Sequence, residues 1–170
     1  MKKVFVIIIL ACSALAIKAQ PGKYAGPEFK KLINTSFSDE KNIAELEGYQ
    51  LLDGILLNYI DDPERLFLNV YAKETNRVIF FSALIDTAKN IFEILDIIQL
   101  KNVKPGLEFK AVTCRRNKKE NAEIVALVNP AEKEYLTDVK KAWRFNRDKR
   151  RIDLISIKGI DCLNEGFEQY

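Results

Sequence analysis

The chain has 170 residues with 27 Lys+Arg against 24 Asp+Glu, a formal charge of +3, and no histidine. The missing histidine excludes Ser-His-Asp and Cys-His nucleophilic catalysis, His-ligated zinc, and a histidine general base or pH switch. Neither G-x-x-x-x-G-K-[ST] nor G-x-G-x-x-G occurs, so there is no phosphate-cradling glycine loop of either kind.

Residues 1–19 read as a cleavable export signal. Met1, Lys2 and Lys3 form a positive start, and the 14 residues from Val4 to Ile17 are almost wholly apolar. That run is shorter than the roughly 18–20 residues needed to span a bilayer as a helix, and Lys18 closes it. No transmembrane anchor is expected in the mature chain. Cleavage is expected after Ala19, and the Lys-Lys start with an Ala-Gln junction resembles signals of Gram-negative bacteria. A competing reading takes Ile9-Leu10-Ala11-Cys12 as a lipoprotein box, with an acyl anchor on Cys12. Removing residues 1–19 takes away three lysines and no acidic residue, leaving 24 basic against 24 acidic side chains. A neutral mature chain has no general attraction for nucleic acid. The balance is uneven: residues 20–100 hold 8 Lys+Arg against 13 Asp+Glu, and residues 101–170 hold 16 against 11. Packed together, these halves either touch through their opposite charges or present one acidic and one basic surface.

Gln20 to Gly26, with Pro21, Gly22 and Gly26, is expected to be a flexible leader, and residues 27–170 one globular domain. Pro27 to Asn34 is predicted helical, since Pro suits a first helical position and Phe29, Leu32 and Ile33 share a face. A second helix is predicted from Ser38 to about Leu46. Strands at Tyr49 to Leu52 and Ile55 to Ile60 follow, around the turn dipeptide Asp53-Gly54. Arg65 to Ala72 and Arg77 to Leu84 read as a hairpin across Lys73 to Asn76. Within it, Val78-Ile79-Phe80-Phe81 lacks alternation and should be buried on both faces. Asp86-Thr87 reads as a cap for a helix from Thr87 to Gln99, in which Ile91, Ile94, Leu95 and Ile98 make a helical stripe. The remainder reads as a meander: Leu107 to Arg115, a charged turn at Arg116 to Asn121, Glu123 to Val128, Val139 to Phe145, and Ile152 to Ile157. Strict alternation in Leu107-Glu108-Phe109-Lys110-Ala111 signals an antiparallel sheet with one packed face. The expected class is α+β, an antiparallel sheet with two or three helices packed on one side.

Cys114 and Cys162 remain after cleavage, an even pair suited to a disulfide in an oxidising compartment; the alternative is two buried free thiols. Two cysteines without histidine make no standard structural zinc site. Asp61, Asp62 and Glu64 form the densest acidic cluster and are candidate calcium ligands, against a plain turn around Pro63. Asp161, Asn164 and Glu165 beside Gly166 pose the same choice. Lys140, Arg144, Arg147 and Arg150 surround Trp143 and Phe145, a combination that binds polyanions or stacks on ligand rings. Against this, Val139, Lys141, Trp143 and Phe145 share strand parity, which turns both rings to the core and leaves Lys140 and Arg144 solvated. These features point to a periplasmic or secreted, non-enzymatic binding domain without cofactor. Its partner would be an envelope or extracellular protein or a small ligand. The alternative is a carboxylate-dependent hydrolase or calcium-binding enzyme.

Overall fold

The computed structural model describes residues 20–57 and 64–167. The α+β expectation is corrected: strand accounts for 51% and helix for 7%. The sole α-helix among the described residues is the single turn α1 (Pro27–Lys30). Three antiparallel sheets stack. Sheet A has the order β1-β5-β4-β3-β2, with β1 Ser36–Phe37, β2 Gln50–Leu56, β3 Leu66–Lys73, β4 Asn76–Asp86 and β5 Ile91–Leu100. Sheet B comprises β6 (Glu108–Ala111), β9 (Ile124–Val128), β11 (Val139–Asn146) and β12 (Arg151–Ile155), in the order β12-β11-β9-β6. Sheet C comprises β7 (Cys114–Arg116), β8 (Lys119–Glu120), β10 (Tyr135–Leu136) and β13 (Ile160–Leu163), in the order β10-β13-β7-β8.

Each layer is held by burying apolar side chains. The A–B core joins Leu68, Ile79, Phe81, Leu95 and Ile98 to Val125, Leu127, Trp143, Phe145 and Ile152. On the far side of sheet B, Ile124, Ala126, Val128, Val139 and Ala142 pack on Leu136, Ile160 and the two cysteines. The outer face of sheet A, with Tyr71, Val78, Phe80, Ile94 and Ile97, is capped by Phe29, Ile43 and Leu46. Sheets A and B are therefore buried on both faces, and Val78 to Phe81 is fully enclosed. Residues up to 100 make the cap and sheet A, and later residues make sheets B and C. The acidic and basic segments thus lie on opposite sides of the apolar A–B core, and touch where Arg150 pairs with Glu64 and Glu93 and where Lys101 lies 4.0 Å from Glu28.

The largest correction concerns Thr87 to Gln99. Asp86 does accept the Lys89 N–H at 3.1 Å, but it caps a turn that ends at Asn90, φ 51°, and the chain returns as β5. The register gives the reason. Phe81 lies opposite Asp96 and Ser82 opposite Ile94, so Leu95 is an extra residue in a β-bulge. The bulge puts Ile94 and Ile97 on the outer face and Leu95 and Ile98 on the inner one. Two strand faces each spaced by three residues reproduce the stripe expected of a helix.

The other expected helices shrink in the same way. Pro27 to Asn34 yields only α1, and the region from Ser38 holds two short 3-10 turns, Glu40–Asn42 and Ala44–Leu46. Asp53-Gly54 is not a hairpin turn: β2 runs through it, with a bulge between Leu51 and Asp53. By contrast, the hairpin of β3 and β4 pairs from Leu66–Ala83 to Lys73–Asn76, turning at Glu74, φ 53°. The expected C-terminal meander is corrected too: Val112, φ 56°, breaks its first run into β6 and β7, which join different sheets; β8 occupies the expected charged turn, β12 ends at Ile155, and β10 and β13 are strands with no counterpart in the expectation.

Cys114 and Cys162 face one another across β7 and β13 and are joined by a disulfide, with Cα atoms 3.9 Å apart. Both are buried in the B–C core.

Candidate functional site

Residues 20–26, the expected leader, run between the part of β5 that the short β1 leaves uncovered and the edge strand β12. The Tyr24 carbonyl accepts the Gln99 N–H at 2.9 Å on β5, and the Tyr24 hydroxyl accepts the Leu154 N–H at 3.2 Å on β12. Beside them Asp96 is buried and takes three main-chain donors: Gly22 at 2.7 Å, Ile97 at 2.8 Å and Ile152 at 2.8 Å. Burial pushes its carboxyl above the ordinary aspartate range against the pull of those three bonds, and the Asp153 charge adds to the rise. One carboxylate thus ties the leader, sheet A and sheet B together.

Next to this tie the A–B sandwich opens into a cleft of about 540 Å³. Ile98 and Leu100 wall it from sheet A, Trp143 and Leu154 from sheet B, and Tyr24 from the leader, with Ile155, Ser156 and Ile157 extending the lip. Lys140 and Lys141 stand at its rim, and Gln99 and Ala142 complete the lining. The lip is apolar: Leu154 is 54% and Ile157 46% exposed. Lys140 pairs with Asp138 at 2.7 Å, which with Asn129 holds the Asp138 carboxyl below its usual range. Lys141 is exposed and forms no ion pair among the described residues.

The basic hairpin does not make one ligand surface. Trp143 is 2% exposed and stacks on Phe109 at 6.0 Å in the A–B core. Trp143 and Phe145 share the inward face that strand parity predicts, but a bulge between Val139 and Lys141 turns Val139 into the B–C core with Ala142. Arg147 donates to the Leu57 carbonyl and lies 3.9 Å from Glu123. Arg150 bonds Glu64 with one nitrogen and Glu93 at 2.7 Å with another. Arg144 is exposed on the face of β11 opposite to Trp143. Only Lys140 and Trp143 of that set meet, at the cleft.

Of the acidic candidates, Asp61 and Asp62 lie outside the described residues, as does Cys12. Glu64 is engaged by Arg150. Asp161 binds Arg115 at 2.5 Å, whose guanidinium lies 3.2 Å from the centre of the Tyr135 ring, and Asn164 donates to the Ala131 carbonyl. Among the described residues no group of three or more metal-ligating side chains is assembled. The cleft residues Tyr24, Gln99 and Leu154 were not legible as a site. Their one local signal is the apolar run Leu154-Ile155 with Ile157, which continues beyond the end of β12.

Among the described residues no helix is long and apolar enough to cross a membrane, and the disulfide is compatible with an exported protein. Searches against family models, curated proteins and solved structures find no match to this chain.

Proposed function

We propose that the protein is an exported, non-enzymatic binding protein, periplasmic or secreted, that holds a small amphipathic anion in the cleft between sheets A and B. The observation that carries this reading is the pairing of apolar walls with two lysines at one rim. An acyl or aromatic body would cover Ile98, Leu100 and Leu154, and an anionic head would face Lys141, beside the Lys140–Asp138 pair. Ligand pockets commonly combine a mostly apolar lining with a few convergent polar groups. The export signal and the disulfide suit a protein working outside the cytoplasm.

Trp143, the only tryptophan, lines the cleft and reports on its occupancy. Titrating the mature protein with decanoate is expected to change Trp143 emission saturably. Lys141→Glu is expected to weaken binding roughly fivefold, the scale of one exposed ion pair. Decyltrimethylammonium, with the same chain and the opposite charge, should bind more weakly. An unchanged emission with decanoate, or equal responses to both amphiphiles, would overturn the proposal.

A further inference from the structure

A second cavity, of about 400 Å³, lies on the outer face of sheet A, away from the cleft. Its walls differ in chemistry. Phe92 stacks on Phe37 at 5.5 Å and meets the Phe67 ring edge-on at 5.3 Å, and all three rings are half-buried. Two carboxylates stand beside them. Glu40 is oriented by Asn69 Nδ2 at 2.5 Å, and Asp39 accepts the Lys41 N–H at 2.9 Å. Neither carboxylate forms an ion pair among the described residues.

Gly54 supplies an independent observation. It lies opposite Asn69 on β2, so a side chain there would share the face of this cavity, which Gly54 itself lines. Its backbone is not in the left-handed region, and a Cβ would meet nothing within 4 Å. Neither conformation nor crowding requires glycine here. A glycine inside a strand often marks a close approach by a ligand or another backbone, and this one leaves the cavity open.

We propose that this cavity binds a small organic ammonium cation of the choline type. The parts of these half-buried rings that their mutual packing leaves open attract a weakly hydrated cation, and Asp39 and Glu40 add its counter-charge. A hard metal ion favours six or more oxygen ligands, whereas this cavity offers two carboxylates with Ser38 and Asn69 beside three phenyl rings.

The test titrates choline chloride into the full mature protein with its disulfide intact, at constant ionic strength set with sodium chloride. Saturation transfer from phenylalanine ring protons to the choline N-methyl protons reads proximity, and calorimetry reads affinity. Saturable binding is expected, weakened roughly fivefold in Glu40→Gln. Gly54→Leu should abolish it without lowering the melting temperature, because the space is vacant. Should Gly54→Leu prove unstable, Glu40→Gln, half-buried and keeping an oxygen for Asn69, still decides the matter. Absence of transfer to choline in the wild type, or unchanged affinity in Glu40→Gln, would overturn the proposal. So would undiminished transfer in a stable Gly54→Leu.

Discussion

Asp96 Oδ2 accepts the main-chain N–H of Ile152 at 2.8 Å, so a carboxylate from one sheet satisfies the edge of the sheet stacked on it. The edge of β12 would otherwise present open donors at a buried seam, and unpaired buried N–H groups are costly. The other Asp96 oxygen holds Gly22 and Ile97, which places the leader in the same seam.

Asn at position 96 would put a donor where an acceptor is needed and should destabilise the fold by about 1–3 kcal/mol. The pH dependence follows from the raised carboxyl. A folded pKa above the unfolded one means that the folded state takes up its proton first. The stability that this group contributes is complete below the ordinary aspartate pKa and is lost as pH rises through the folded value. Urea unfolding of wild type and Asp96→Asn from neutral pH down to the aspartate range should show the gap between them widening as pH falls. A gap that narrows on acidification would contradict this account.

Tyr24→Phe removes the acceptor for Leu154 N–H. The expected loss of stability is about 0.5–1.5 kcal/mol. Hydrogen exchange locates the effect: the Leu154 amide should exchange faster in the variant, while amides within β4 should change only by the global loss. Unaltered exchange at Leu154 would mean that the hydroxyl does not protect that edge.

The Cys114–Cys162 disulfide closes a sequence separation of 48 residues. On the chain-entropy account, removing it costs about 4 kcal/mol. Thiol titration of a chain comprising residues 20–170 in non-reducing denaturant should find no free thiol before reduction and two after it. The double serine variant should unfold at a correspondingly lower urea concentration.

Arg150 sits at φ 48° and its side chain is 44% exposed, bonded to Glu64 and Glu93. Ion pairs at that exposure contribute little, so Arg150→Ala should cost less than about 1 kcal/mol. Arg150→Gly loses the same pairs but suits the left-handed backbone, and should be about 1 kcal/mol more stable than the alanine variant. Thermal melting of the two variants side by side decides the order.

Local sequence determined those parts whose partners are near in the chain. The hairpin of β3 and β4 follows from two β-rich runs flanking a polar turn, and the enclosure of Val78 to Phe81 follows from its unbroken apolar content. Composition singled out Cys114 and Cys162 as a candidate pair, and it identified the opposed charge of the two halves. Tertiary structure decided the rest, because pairing between distant strands fixes register and register fixes which face a side chain occupies. The bulge at Leu95 exists only through the pairing of β5 with β4, and it turned a helical stripe into a doubly buried strand. The bulge before Lys141 likewise sent Val139 and Trp143 into different cores. Asp96 is 74 residues from Gly22 and 56 from Ile152, and nothing local to any of the three specifies that they meet.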